Sequence, residues 1–370
     1  MDFTNYKPVR ILTGDRCVRD NPRIFASCGT RALIVSGRHA ADACGAMSDV
    51  ADALSEAGCS YVRYAVIPEN PPAPLCLEGG ALARRESCDF VVAIGGGSAL
   101  DAGKAIAAYA ANPECGELDL FDDTKRTNDG LPLIAIPTTA GTGSEAVRYS
   151  VLTIDGGRKK KTFKCASSYP RFSFICPRYS ATMSDDTTVS TALDALAHAI
   201  ESFLSPKSTP SSEEAALFAA SELWDILMNR TELTSWSMEE RTRLAHAATA
   251  AGIAIDTTGT GFPHPLGYSI TLTRGIPHGR ACALFEGAFL KYNMIPSAGA
   301  ARVEKLAQTL GTTPEEMLER IPALSGVKLK IDAAEREELI DRVAGAGNYA
   351  NSPYIISRGE MSDIYKRAFE

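Results

Sequence analysis

Val91–Ala105, VVAIGGGSALDAGKA, runs from an apolar, β-branched segment through three glycines into an alanine-rich stretch. That order predicts a strand, a tight turn and a helix start, where glycines let the backbone approach an anion and the helix offers N–H groups with no intrahelical partner. Neither common phosphate fingerprint fits. The Walker spacing fails because Gly97 and Gly103 lie one residue too far apart and Ala105 follows Lys104 where a metal-binding hydroxyl belongs. The pattern G-x-G-x-x-G fails because Leu100 takes the place of the third glycine. The turn is a phosphate cradle of neither kind.

Outward from this turn, strand and helix signals alternate. Ala32–Ser36, Tyr61–Ile67, Phe90–Ile94 and Leu133–Ile136 are apolar runs of strand length, and Ala40–Ala57 and Leu75–Glu86 have helical periodicity. The alternation predicts a parallel, helix-covered sheet over residues 1–180, with the glycine turn and PTTAGTGSE both at strand carboxyl ends, facing one ligand. From about Ser180 the strand signals stop. Helical segments follow at Val189–Leu204, Ser212–Met228, Glu239–Ile255, Ala281–Tyr292, Ala301–Leu310, Ala333–Ala344 and Met361–Phe369, predicting an all-α domain over 181–370 and a cleft between the two halves.

Composition narrows the function classes. The 370 residues are 45% hydrophobic, long enough for two cores, and 38 basic against 45 acidic residues give a net charge of -7, without global attraction to nucleic acid or anionic membranes. The basic run Arg158–Lys161 is short and reads as a solvated hairpin tip. The ten cysteines are scattered without a C-x-x-C pair, and neither a membrane span nor a signal peptide is evident, so a reducing cytoplasm is expected.

Five histidines allow each to be weighed. In STALDALAHAIESF, the stripe Leu193, Leu196, Ile200, Phe203 has helical spacing, with Ser190 or Thr191 able to cap the start. Asp194 and His198 then share a face one turn apart, as a helix offers two ligands to one metal, although such a pair is commonly a surface hydrogen bond. In FPHPLGYSITLTRGIPHGR, His264 and His278 each follow a proline and lie close to a glycine. One carboxylate and three imidazoles suit Fe(II) or Zn(II) with a position open for substrate, and without a thiolate the set does not choose between them. His246 reads as a structural histidine in a helix, and His39 as a strand-end neighbour of the cofactor.

GGGSALDAGKA, IPTTAGTGSE, DALAHAIESF and PHG, in that order, resemble the iron-dependent (group III) alcohol dehydrogenases, which are similar to glycerol dehydrogenase and dehydroquinate synthase. The resemblance spans nearly the whole chain. It implies a Rossmann-like α/β domain followed by an all-α domain, a homodimer, and Asp194, His198, His264 and His278 as metal ligands. Gly95, Gly96, Gly97 and Ser98 would wrap the pyrophosphate of a nicotinamide cofactor, with Asp101 towards the nicotinamide. Thr138, Thr139 and Thr142 would complete the cradle, Asn70 would lie near the adenosine half, and Lys104 would be a helix-surface charge.

The departures from the family pattern carry information. Where many relatives place an acidic residue at the end of the first strand, this chain has Gly37 followed by Arg38, which predicts NADP(H) over NAD(H). The interval from His264 to His278 makes Tyr268 the counterpart of a further family histidine, as a proton relay or a packing or substrate contact; aligning HPLG instead would put Thr260 at the ligand position. Val147 replaces a common threonine, and Cys176-Pro177 a common DP. The expected reaction is hydride transfer between a small primary alcohol and its aldehyde, with Phe262, Tyr149 and Phe285 as apolar lining. The alternatives are a polyol dehydrogenase of glycerol type and a non-catalytic nucleotide sensor, whose mark would be a broken ligand set.

Overall fold

The computed structural model describes residues 1–370 except 2, 4, 5, 7 and 370. They divide into two compact units, Met1–Met183 with Ser237–Ala245, and Ser184–Trp236 with His246–Glu370. The first contains β1 (Arg10–Thr13), α1 (Pro22–Ala26), β2 (Arg31–Ser36), α2 (Ala40–Ala43), α3 (Ala46–Glu56), β3 (Ser60–Tyr64), α4 (Ala73–Arg85), β4 (Phe90–Gly95), α5 (Gly97–Ala111), β5 (Leu133–Pro137), β6 (Ser150–Ile154), β7 (Lys159–Phe163) and β8 (Phe172–Ile175). Six strands form one parallel sheet in the order β1-β8-β5-β4-β2-β3.

The sheet is apolar on both faces, as a parallel sheet covered by helices must be. Ile34, Val92, Ile94, Ile134 and Phe174 pack with Phe25, Met47, Val50 and Leu54 of α1 and α3. The alternate residues Leu33, Val35, Val91, Ala93 and Leu133 pack with Cys76, Ala83, Ile106 and Tyr109 of α4 and α5. Gly103 brings α5 onto β4: a Cβ there would lie 2.6 Å from that of Ala93.

The second unit carries α6 (Asp185–Leu204), α7 (Pro210–Met228), α9 (Pro263–Arg274), α10 (His278–Asn293), α11 (Ser297–Leu310), α12 (Pro314–Ser325), α13 (Ala333–Val343) and α14 (Arg358–Phe369); α8 (Met238–Thr258) begins in the first unit and continues in the second. An α/β unit with a parallel sheet is thus followed by an all-helical one.

Several elements differ from expectation. The single helix expected over Ala40–Ala57 is broken at Gly45, whose φ of +81 ends α2 and starts α3. α6 begins before Ser190 and Thr191: Ser184 caps it, accepting from the Thr187 N–H, with Asp185 and Asp186 in the first turn where the helix dipole favours them. β1, β8, α9 and α12 were not expected. α9 carries Pro263 and Pro265 in its first turn, residues that read as loop, although a helix tolerates proline there because those N–H groups lack partners. The basic run lies on an antiparallel hairpin, β6–β7, but its lysines stand on β7 and the exposed tip is Asp155–Arg158.

Candidate functional site

The strand order reverses between β2 and β4, which pair side by side, with Ser36 opposite Ile94. Ligands of such sheets bind at the strand ends flanking this point. Gly37 and Arg38 follow β2 there, Arg38 being exposed, as is His39. Gly95 ends β4 at a φ of +151, and α5 starts after Gly96 with no side-chain cap, so its first N–H groups face outward from the strand ends.

The remaining cradle residues gather at the same edge. Thr138 follows β5 and its N–H donates to the Gly95 carbonyl at 3.0 Å. A Cβ on Gly96 would stand 3.1 Å from Thr139, and one on Gly97 only 2.5 Å from Thr142, so the glycines are needed to seat this loop as well as to approach an anion. Asn70, in the left-handed region at φ 53, donates its N–H to Ser98 Oγ at 3.1 Å and accepts from Thr153 through its carbonyl.

One residue of the turn differs from expectation. Lys104 is not a surface charge but is buried, 1% exposed, and donates to Ser144 Oγ and the Tyr149 carbonyl, each at 2.6 Å. The Asp101 carboxylate accepts from Ser144 Oγ at 2.6 Å and from the Val151 N–H at 2.9 Å, and lies 3.5 Å from Lys104 Nζ. The two therefore brace the loop after β5.

In the helical unit, α6, α9 and α10 bring Asp194, His198, His264 and His278 together. Asp194 Oδ1 lies 3.8 Å from His198 Nε2, 3.6 Å from His264 Nε2 and 3.6 Å from His278 Nε2. The His198 and His264 rings stack at 4.6 Å, and His278 meets His264 edge-on at 5.3 Å. Gly279 permits this approach, since a Cβ on it would fall 1.8 Å from the Ser190 carbonyl on α6. Thr260 is not in the set; its hydroxyl accepts from Asn348.

Asp194 Oδ1 and His264 Nε2 are buried, face each other and have no hydrogen-bond partner. A cation between them would satisfy both, so the donor set fits a divalent metal. Burial pushes the Asp194 carboxyl up, but the His198, His278 and His264 imidazoles outweigh it and hold it well below the carboxylate range. Burial likewise opposes charging of His264, yet Glu201 and Asp194 raise it to about 9.

Three residues of this centre escaped the sequence reading. Glu201 accepts at Oε1 from His264 Nδ1, 2.7 Å away, and at Oε2 from the Gly261 N–H, leaving His264 Nε2 free for a metal. Cys282, one turn after His278, adds a thiol beside a set read from one carboxylate and three imidazoles: its Sγ is 3.6 Å from His278 Nε2, in a group with Asp194, His264 and His278 whose ligand atoms lie within 4.8 Å of one another. Glu286 is wholly buried on α10. The spacings were visible as a helical H-x-x-x-C pair and as a glutamate seven residues after Asp194.

Tyr268 stacks on His278 at 5.0 Å and meets His264 edge-on at 6.2 Å. Phe262 and Phe285, expected as apolar lining, are fully buried, Phe262 against Phe289 and Phe285 against Tyr365. His246 is half-buried on α8, and burial lowers its pKa.

The model of the iron-containing alcohol dehydrogenases matches residues 8–177, and that of the C-terminal region of Fe-containing alcohol dehydrogenases matches 188–369. An iron-containing alcohol dehydrogenase structure from Thermotoga maritima superposes with a TM-score of 0.90 at 31% identity over 98% of each chain. The 1,3-propanediol dehydrogenase of Klebsiella pneumoniae is 31% identical over 83% of this chain and 76% of its own. The choline dehydrogenase of Bacillus subtilis is 29% identical over 90% of this chain and 82% of its own.

Proposed function

Because the chain belongs to the iron-containing alcohol dehydrogenase family, an oxidoreductase family using nicotinamide cofactors, we propose that it transfers a hydride reversibly between NADP(H) and a small primary alcohol and its aldehyde. The observation that carries this is the convergence of three imidazoles on the Asp194 carboxylate. Asp194, His198, His264 and His278 would hold Fe(II), with Zn(II) as the other candidate, and such an ion supplies Lewis-acid polarisation of a carbonyl or hydroxyl oxygen. Glu201 fixes His264, and Tyr268 packs on His278 beside the reacting groups.

The sheet unit is read as the cofactor domain. The glycine turn, Thr138, Thr139 and Thr142 would bind the pyrophosphate, and Asn70 would support Ser98. With no carboxylate after β2 to repel a 2′-phosphate, the exposed Arg38 guanidinium would pair with it. The likeness to a 1,3-propanediol dehydrogenase favours a diol, and with it the polyol reading, as the second substrate class. All ten cysteines are free thiols, which supports a reducing cytoplasm; among the described residues no helix is long and apolar enough to cross a membrane, and a homodimer is proposed.

The test is a panel of primary alcohols, diols, glycerol and aldehydes with both cofactors, on protein loaded separately with Fe(II) and Zn(II). A higher kcat/KM with NADPH that falls in Arg38→Ala, and loss of turnover in His264→Ala, are expected. Comparable kcat/KM for NADPH and NADH refutes the cofactor assignment, and metal-loaded His264→Ala with wild-type turnover refutes the ligand set.

A further inference from the structure

Beside His278 lies a thiol that the reaction above does not use. Cys282 is 0% exposed and stands one turn after His278 on α10. Its Sγ is 3.6 Å from His278 Nε2 and 3.7 Å from Nδ1, so it lies beside the ring rather than in line with one nitrogen. Gly267 on α9 leaves it that room, since a Cβ there would come within 3.3 Å of the sulfur. Asp194, His264, His278 and Cys282 each present a ligand atom within 4.8 Å of the others. Asp194 Oδ1 and His264 Nε2, buried and without a hydrogen-bond partner, point to a cation independently of the thiol.

The spacings decide which ion this set fits. Zinc binds sulfur at about 2.3 Å and nitrogen or oxygen at about 2.0 Å, so a tetrahedron around it separates sulfur from nitrogen by about 3.5 Å and oxygen from nitrogen by about 3.3 Å. The sulfur stands 3.6 Å from His278 Nε2, and Asp194 Oδ1 stands 3.6 Å from both His264 Nε2 and His278 Nε2. Each of these three edges is within a few tenths of an ångström of a zinc tetrahedron. His198 Nε2, at 3.8 Å, is the imidazole nitrogen farthest from the same oxygen.

We propose that Cys282 is itself a metal ligand, completing with Asp194, His264 and His278 a tetrahedral thiolate site that favours Zn(II) over harder ions such as Mn(II). This rests on the assignment of Asp194, His264 and His278 as ligands. A thiolate is a softer donor than imidazole or carboxylate, so it supplies a choice of metal that oxygen and nitrogen donors alone do not make. No ionised thiol is needed beforehand, because the incoming ion displaces the thiol proton to solvent.

The test loads wild type, Cys282→Ser and Cys282→Ala with equimolar Co(II), a spectroscopic stand-in for zinc, and measures Zn(II) and Mn(II) affinities by chelator competition. Wild type should show an intense near-ultraviolet sulfur-to-cobalt charge-transfer band together with visible d–d bands, and both variants should keep d–d bands but lose the charge transfer. X-ray absorption of the zinc form should find a sulfur at about 2.3 Å in wild type and none in C282S. Zinc affinity should fall roughly tenfold or more in C282S, while Mn(II) affinity stays within about twofold of wild type. Cobalt bound without charge transfer in wild type overturns the proposal, as does a band that persists in C282S from another thiol. Equal losses of zinc and manganese affinity, the mark of a residue that only packs, overturn it too. If neither variant folds, the zinc–sulfur distance in wild type decides, and its absence, or its persistence in His264→Ala, overturns the proposal. Cobalt d–d bands that His264→Ala abolishes, without charge transfer in wild type, refute Cys282 alone; d–d bands unchanged in His264→Ala refute the ligand set of the proposed function.

Discussion

His264 sits between two carboxylates, with Nδ1 at 2.7 Å from Glu201 and Nε2 at 3.6 Å from Asp194. In metal-free protein those neighbours raise it from 6.5 to about 9 against the effect of burial. A raised folded-state pKa stabilises the fold while the imidazole is protonated. The contribution is complete below about 6.5, the unfolded value, and is lost as pH rises through about 9. Metal binding runs the opposite way, since the ion must displace that proton, and apparent affinity should rise with pH across the same window. Chelator-treated protein should therefore lose Tm between pH 6.5 and about 9 relative to His264→Asn, while zinc competition assays tighten. A Tm difference between the two proteins that does not change across this window would show that His264 is not held protonated.

At the scale of the element, α5 and α6 show what local pattern can and cannot reveal. The apolar stripe of α6 fixed the register that puts Asp194 and His198 on one face, and both are buried. Its true start was missed because the cap, Ser184, lies a turn and a half before the first apolar position, in a run of aspartates and threonines that reads as loop. On α5 the turn was legible from its glycines, but Lys104 was misplaced. Its partners, Ser144 and the Tyr149 carbonyl, are 40 and 45 residues away in sequence, and no periodicity reports them. Glu201 was hidden for the same reason, since only its bond to His264, 63 residues away in sequence, gives it meaning. Lys104→Met should strand the Asp101 carboxylate and free the loop after β5, destabilising the protein by about 3 kcal/mol and raising the Kd for the dinucleotide. Denaturant melts and cofactor titration check both. Unchanged cofactor affinity at full destabilisation would confine Lys104 to a folding role.

At the scale of the whole molecule, each set of candidate ligands belongs to one unit. Asp194, His198, His264 and His278 all fall in the helical unit, and Gly37, Asn70, the glycine turn and Thr138–Thr142 all fall in the sheet unit. The alternation of strand and helix signals before Ser180 and the loss of strand signals after it made the change from sheet to helices legible in outline; the return of Ser237–Ala245 to the first unit was not, because a helix start carries no mark of what it packs against. A ligand that binds only the folded state stabilises it by about 4 kcal/mol at a thousand times its Kd, and the elements that hold it gain most protection from local opening. Zinc should therefore slow amide exchange first in α6, α9 and the start of α10, and NADPH first in the turn before α5 and in residues 138–144. Hydrogen exchange read by mass spectrometry with each ligand alone tests the assignment. Zinc protection centred on the glycine turn, or NADPH protection centred on α6, would show that the ligands had been given to the wrong units.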